Sequence, residues 1–194
     1  MKKNKIFYLI GSLVLIIAVA AGITYAAFTD KAKVLGSTFS VGSANLMFLE
    51  DLAMGTDPRN YRDELAGPTF ENIGPGWTQD YLVKLISMAS SRITVSTNAN
   101  YETANDPEDL RSDIFVEIIK WSDMNQNGTV DEGEEISVVG KKTIIKWKTE
   151  GFTLGDLFYG QTMGLILRFS APSISESKQG ASATFDFEFN SIQS

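Results

Sequence analysis

Ala183-Thr-Phe185-Asp-Phe187-Glu-Phe189 alternates phenylalanine with polar residues on a strict period of two. In an extended chain successive side chains point to opposite faces, so the three rings line a core while Asp186 and Glu188 face water. A helix would scatter the same rings around its circumference. The stretch is therefore a half-buried strand, and working outward from it finds others. Leu165-Ile-Leu-Arg-Phe169, Thr143-Ile-Ile-Lys-Trp-Lys148, Ile114-Phe-Val-Glu-Ile-Ile-Lys-Trp121, Arg92-Ile-Thr-Val-Ser-Thr97 and Trp77-Thr-Gln-Asp-Tyr81-Leu-Val-Lys-Leu-Ile86 are rich in β-branched and aromatic residues. Thr38-Phe39-Ser-Val41 and Leu46-Met-Phe-Leu49 form an alternating stretch near the start. Residues 55–58, Gly67-Pro68 and Gly74-Pro75-Gly76 mark loops between them. Helix signals are few. Asp106-Pro107-Glu108-Asp109-Leu110 predicts a short helix, with a capping Asp, Pro at its first position and acids at the positive end of the dipole. Thr153-Leu-Gly-Asp156 predicts a capped single turn. The fold class expected is all-β, an antiparallel jelly-roll-like sandwich with one or two short helices.

The composition narrows what such a sandwich can do. The chain has 194 residues, 43% of them hydrophobic, including 12 Phe. One domain with a real core suits that length. There is no Cys, so packing, a metal or assembly must supply the stability that disulfides give small exported domains. There is no His either, which excludes Ser-His-Asp and Cys-His catalysis and His-ligated zinc. With no nucleotide-binding or nucleophile motif added, an enzyme is not expected. Seventeen basic and 24 acidic residues give −7. Lys2, Lys3 and Lys5 lie in the leader, and without them 14 basic and 24 acidic residues leave −10. Nucleic acid is an unsuitable partner for that charge; divalent cations, basic partners or plain solubility suit it.

The N-terminus reads as an export signal. Met1-Lys-Lys-Asn-Lys5 is a positive n-region, and residues 6–23 are apolar but for Gly11, Ser12 and Gly22. The apolar run is long enough for either a cleaved signal peptide or a retained anchor. Thr24-Tyr25-Ala26-Ala27 places small residues at −3 and −1 if the cut falls between Ala26 and Ala27, which favours cleavage. Residues 1–26 are then a signal peptide, residues 27–194 a single sandwich domain, and the location extracellular, secreted or cell-surface-associated.

Asp123-Met-Asn125-Gln-Asn127-Gly128-Thr129-Val130-Asp131-Glu-Gly-Glu134 satisfies every specified position of the loop pattern D-x-[DN]-x-[DN]-G-x5-E. In that pattern oxygens at positions 1, 3 and 5 converge on one calcium ion, glycine at 6 allows the turn, the carbonyl at 7 contributes, and the acid at 12 closes the site. Asp123, Asn125, Asn127, Thr129 and Glu134 take those roles, with Asp131 acting through water. Two neutral Asn ligands lower the charge count and place the affinity in the ~10⁻⁴–10⁻³ M range of extracellular modules, a structural site rather than a sensor. The competing reading is a hairpin turn that binds nothing, because Asn, Gly and Asp favour turns for backbone reasons of their own. The flanks look like strands, so only the loop is expected, not a helix pair. Lys141, Lys142, Lys146 and Lys148 read as a solvated, edge-guarding face of a strand. Trp77, Trp121 and Trp147 read as core or belt residues rather than a carbohydrate platform.

Several short stretches, in order along nearly the whole chain, resemble one family. Thr24-Tyr-Ala-Ala27-Phe28-Thr-Asp30 resembles the T-[WY]-A-[AY]-F-x-D junction of the TasA/camelysin group of exported fibre proteins, whose leaders are removed by SipW-type signal peptidases. Thr38-Phe39-Ser-Val-Gly42-Ser-Ala-Asn-Leu46 resembles that group's first strand, Ile73-Gly-Pro75-Gly76 its L-x-P-G turn, and Asp106-Pro-Glu-Asp109-Leu110 its S-P-E-D-F helix start. Gln179-Gly180-Ala-Ser182, Phe185-Asp-Phe187-Glu188 and Gln193 resemble its closing strand. The resemblance implies a jelly-roll subunit of a biofilm fibre, pilus-like, that polymerises head to tail with itself by donor-strand complementation. Residues 27–39 would be the donated strand and Phe28, Val34, Leu35 and Phe39 its pocket fillers. An accessory matrix or anchor protein is a further implied partner; the membrane is one only through an uncleaved leader. The metalloprotease label attached to camelysin does not transfer, since no His is present. The alternative from another class is a monomeric cell-surface module that uses the calcium loop to shape an adhesion or ligand-binding surface.

Overall fold

The computed structural model describes residues 32–34, 36–42, 45–178 and 180–193. Phe185, Phe187 and Phe189 are all buried, as their alternation requires, and Glu188 between them is exposed. They sit in the middle of an all-β sandwich. One sheet has six strands in the order β10 (Glu135–Thr143), β9 (Phe115–Trp121), β12 (Thr162–Ala171), β7 (Trp77–Ser87), β3 (Leu46–Leu49) and β4 (Tyr61–Arg62), all antiparallel. The other has five: β11 (Phe152–Leu157), β8 (Ile93–Asn100), β14 (Asp186–Gln193), β2 (Thr38–Val41) and β5 (Glu64–Ala66). Here β2 and β14 run parallel, a pairing that joins the two ends of the domain. A small third sheet sets β1 (Ala32–Val34) between β13 (Ser182–Ala183) and β6 (Phe70–Ile73).

The two large sheets meet ring against ring. Phe187 stacks on Phe39 at 5.1 Å and on Trp147 at 4.8 Å, and Phe169 approaches it at 5.5 Å from the opposite sheet. Phe48 meets Phe189 edge-on at 5.5 Å. Offset and edge-on pairs of this kind add to the area they bury, so the closing strand identified first in the sequence is also the centre of the core. Residues 38–49 are not one strand: the chain crosses from the five-stranded to the six-stranded sheet between Val41 and Leu46. The Phe-rich closing stretch also changes sheets, at Thr184 and Phe185.

Three local expectations need correction. Residues 143–148, expected as a strand, begin helix α1 (Ile144–Glu150). Thr143 caps it by accepting the Lys146 N–H, Gly151 ends it at positive φ, and Ile144 and Trp147, three apart on one face, are both fully buried. The cap and the one-sided burial outweigh the β-branched pair, whose spacing suits either structure. Lys146 and Lys148 therefore stand on a helix, not on a strand face. Residues 153–156, expected as a capped turn, lie within β11, which buries Phe152, Leu154 and Leu157 and shifts register at Gly155. Asp156 bonds Thr94 Oγ1 at 2.7 Å and Arg92 across the strand pair instead of capping anything. The helix after Asp106 stops at one 3₁₀ turn, Leu110–Ser112. Asp106 does accept the Leu110 and Arg111 N–H groups, but Asp109 takes a left-handed conformation at φ 59, which breaks α continuity before it starts.

Candidate functional site

The twelve-residue loop joins β9 to β10, so its flanks are antiparallel strands. Its inner polar side chains are linked by one continuous set of hydrogen bonds. Asp123 Oδ1 and Asn125 Oδ1 both accept the Asn127 N–H, at 3.0 and 3.1 Å, and Asp123 Oδ2 accepts the Gly128 N–H at 3.1 Å. Asn127 Oδ1 accepts the Thr129 N–H and hydroxyl, both at 2.8 Å. The amide groups of Asn125 and Asn127 donate to Asp131 Oδ2 at 2.6 and 2.8 Å. Glu134 is 2% exposed, and its two carboxylate oxygens accept the N–H groups of Met124 at 2.8 Å and Asp131 at 3.0 Å. Gly128 holds φ 74, the turn that the motif assigns to glycine.

This arrangement decides how a metal could be held. Among the described residues no three carboxylates, histidines or cysteines form a metal-holding group. The donor set is instead mixed: Asp123, Asn125, Asn127, the Thr129 carbonyl, Asp131 and Glu134, all oxygen donors, which is the chemistry of a hard cation. Asn125 and Asn127 currently turn their nitrogens toward Asp131. Amide oxygen and nitrogen are nearly isosteric and exchange by a flip of the side chain, so the residues fit calcium in donor type and in backbone form.

The loop does not stand alone. Strand register places three rows across the outer face of β9, β12 and β7: Trp121, Gly164 and Lys84; Ile119, Ile166 and Leu82; Glu117, Arg168 and Asp80. Gly164 is small because it must be. A Cβ there would lie 2.7 Å from the Trp121 carbonyl oxygen and 2.8 Å from its indole Nε1. Leu52 and Val130 cover Trp121, Ile119 and Ile166, forming a second small core beneath the loop. Gly128 packs so closely on the backbone of Leu52 and Ala53 that a Cβ would fall 2.8 Å from the Ala53 nitrogen. Asn60, itself buried, organises that neighbouring segment through the Asp51 N–H, the Asp51 carbonyl and the Gly55 carbonyl.

Lys84 completes the site. Its ammonium lies 3.3 Å from Asp123 Oδ2 and 5.6 Å from the Trp121 ring centroid, and the Asp123 side chain is fully buried. Sequence reading passed over Lys84 because it lies 39 residues from Asp123. An isolated glycine inside the Met163–Leu165 strand pattern was the available signal that something approaches closely there. Two lysines of the basic cluster hold backbone carbonyls: Lys142 donates to that of Gly151 at 2.6 Å, and Lys148 to that of Tyr101 at 2.7 Å. Trp147 is fully buried and Trp121 nearly so, with Trp77 packed against the main core.

The N-terminal segment is described only in part. Ala26, Ala27, Phe28 and Leu35 lie outside the described residues, as do residues 1–25. Val34 lies in β1, paired with Ala183 and Phe70. Phe39 is different: it is fully buried in the core of its own molecule, stacked on Phe187 and Tyr81. Donating it to a neighbour would empty the centre of the sandwich unless that neighbour's own Phe39 refilled it. No protein-family model matches this chain, and no curated protein does.

Proposed function

We propose that this chain is the secreted structural subunit of an extracellular fibre or biofilm matrix, polymerising by strand donation and holding one structural calcium ion in residues 123–134. One observation carries the reading. β1 is three residues long, and among the described residues it is the only strand paired with either β6 or β13. A matching segment from a neighbouring molecule would restore every ladder bond that β1 makes, which is the economy of strand exchange. Gly36 follows β1 at φ 65, a conformation glycine adopts freely, and a Cβ added there would meet nothing within 4 Å, so the chain has room to redirect at this point. Buried Phe39 marks where the arm must end. The ordered likeness to the TasA/camelysin group supports the same reading.

Seating of β1 in its own chain favours a second reading, a monomeric cell-surface module shaped by the calcium loop. Removing residues 27–35, which spares Gly36 and Phe39, discriminates the two. A fibre subunit loses polymer in negative-stain microscopy and sedimentation while its circular dichroism and melting remain those of a folded domain. Wild-type protein that stays monomeric across calcium concentration and pH, or a truncated protein that still polymerises, refutes strand donation.

A further inference from the structure

We propose that the Lys84 ammonium is the built-in counter-charge of Asp123, the loop's first ligand, and that a divalent cation binds Asp123 by displacing it. The inference rests on the calcium reading above and concerns what sets the strength of that site. Asp123 holds the first ligand position of the motif, and its side chain is fully buried. A buried carboxylate requires a compensating positive charge. Lys84 supplies it at 3.3 Å from Oδ2, with its own side chain only 13% exposed and its ammonium 5.6 Å from the Trp121 ring centroid.

The lysine is placed there by the sheet and not by the loop. It enters from β7, and Gly164 between it and Trp121 keeps the row low enough for the indole to lie beneath the ammonium. The loop's own hydrogen bonds then shape positions 1, 3, 5, 9 and 12. A divalent ion bonded to Asp123 would sit within a few ångströms of Lys84, and two like charges that close oppose each other strongly. Two clefts, of about 550 and 240 Å³, flank the Lys84–Asp123 pair and are lined by both residues. They give an ion a way in and the flexible lysine stem a way out. Lys84 thereby keeps the loop folded before any metal arrives and raises the calcium concentration needed to fill it.

Calorimetric titration of calcium chloride into the purified, metal-stripped protein tests this, with K84M, K84Q and K84R compared to wild type and each checked for a native circular dichroism spectrum. K84M and K84Q should bind calcium tighter by about tenfold or more, and K84R should stay near wild type. In metal-free buffer K84M and K84Q should melt below wild type, and calcium should raise their melting temperature by more. K84M and K84Q with unchanged affinity beside a wild type that binds would overturn displacement alone. No heat from any of the four proteins would remove the calcium reading and displacement with it, while the metal-free melts would still report whether Lys84 compensates Asp123.

Discussion

Replacing Glu134 should destabilise the protein even when no calcium is present. The side chain is 2% exposed, and both of its oxygens accept backbone N–H groups, from Met124 at 2.8 Å and Asp131 at 3.0 Å. A hydrogen bond to a charged group contributes about 1.5–3 kcal/mol net. Glu134→Gln keeps one acceptor but turns an NH2 toward a backbone N–H, so one bond is lost and one buried donor left unmatched, at about 1.5–3 kcal/mol. Glu134→Ala loses both bonds; allowing for water reaching an exposed loop, its cost is about 3–4 kcal/mol. Urea denaturation in excess EDTA reads these values directly, with an unchanged slope showing that the unfolded state is the same. Glu134→Ala within about 0.5 kcal/mol of wild type in EDTA would refute the reasoning. It would mean that the glutamate does not latch the metal-free loop. The outcome also governs how metal experiments are read, because a Glu134 variant changes the fold as well as the ligand set. Asn125→Ala is the cleaner metal probe, since among the described residues the Asn125 side chain bonds its loop neighbours Asn127 and Asp131 alone.

Two further outcomes follow from packing and charge. Gly164→Ala pushes a methyl group into the Trp121 carbonyl and indole, and overpacking of this kind costs about 1–3 kcal/mol; denaturant melts should show the loss and tryptophan fluorescence the displaced ring. Burial pushes the Asp106 carboxyl above the ordinary carboxylate range, against the opposing pull of the Arg111 and Leu110 amides and the Arg111 guanidinium. The folded state then holds that proton more tightly than the unfolded chain, so the contribution is fully present below the unfolded value of about 3.9 and is lost as pH rises through the folded value. Asp106→Asn should remove this decline, and equal pH slopes for the two proteins in urea melts just above that unfolded value would contradict the assignment.

Strands with a buried and a wet face were legible because a period of two is written in consecutive residues. Phe187 and Phe189 needed nothing more; Phe185 is buried as the alternation requires but lies at the change of sheets before β14, and the strands around Tyr81, Ile118 and Leu167 were read from their β-branched and aromatic residues. The loop pattern of residues 123–134 was legible for a similar reason: its twelve positions are contiguous, and Gly128 takes the left-handed turn its place in the motif demands. Thr143-Ile-Ile-Lys-Trp-Lys148 was not legible. Ile144 and Trp147 share a face in a helix, yet the apolar pair at 144 and 145 suits a strand equally, and only burial against β8 and the core decides between them.

By itself, then, the amino-acid order determined which residues turn inward, where turns fall and which oxygens one short loop can offer, because each of these depends on neighbours a few bonds apart. Tertiary structure decided what those local units meet. It brought Lys84 to Asp123 and laid Trp121 over Gly164. It also set Phe39 between Tyr81 and Phe187 in its own core, and left β1 as the lone bridge between β6 and β13 among the described residues. Those contacts depend on sheet order and register, which are fixed by the packing of the whole sandwich and by no single stretch of the chain.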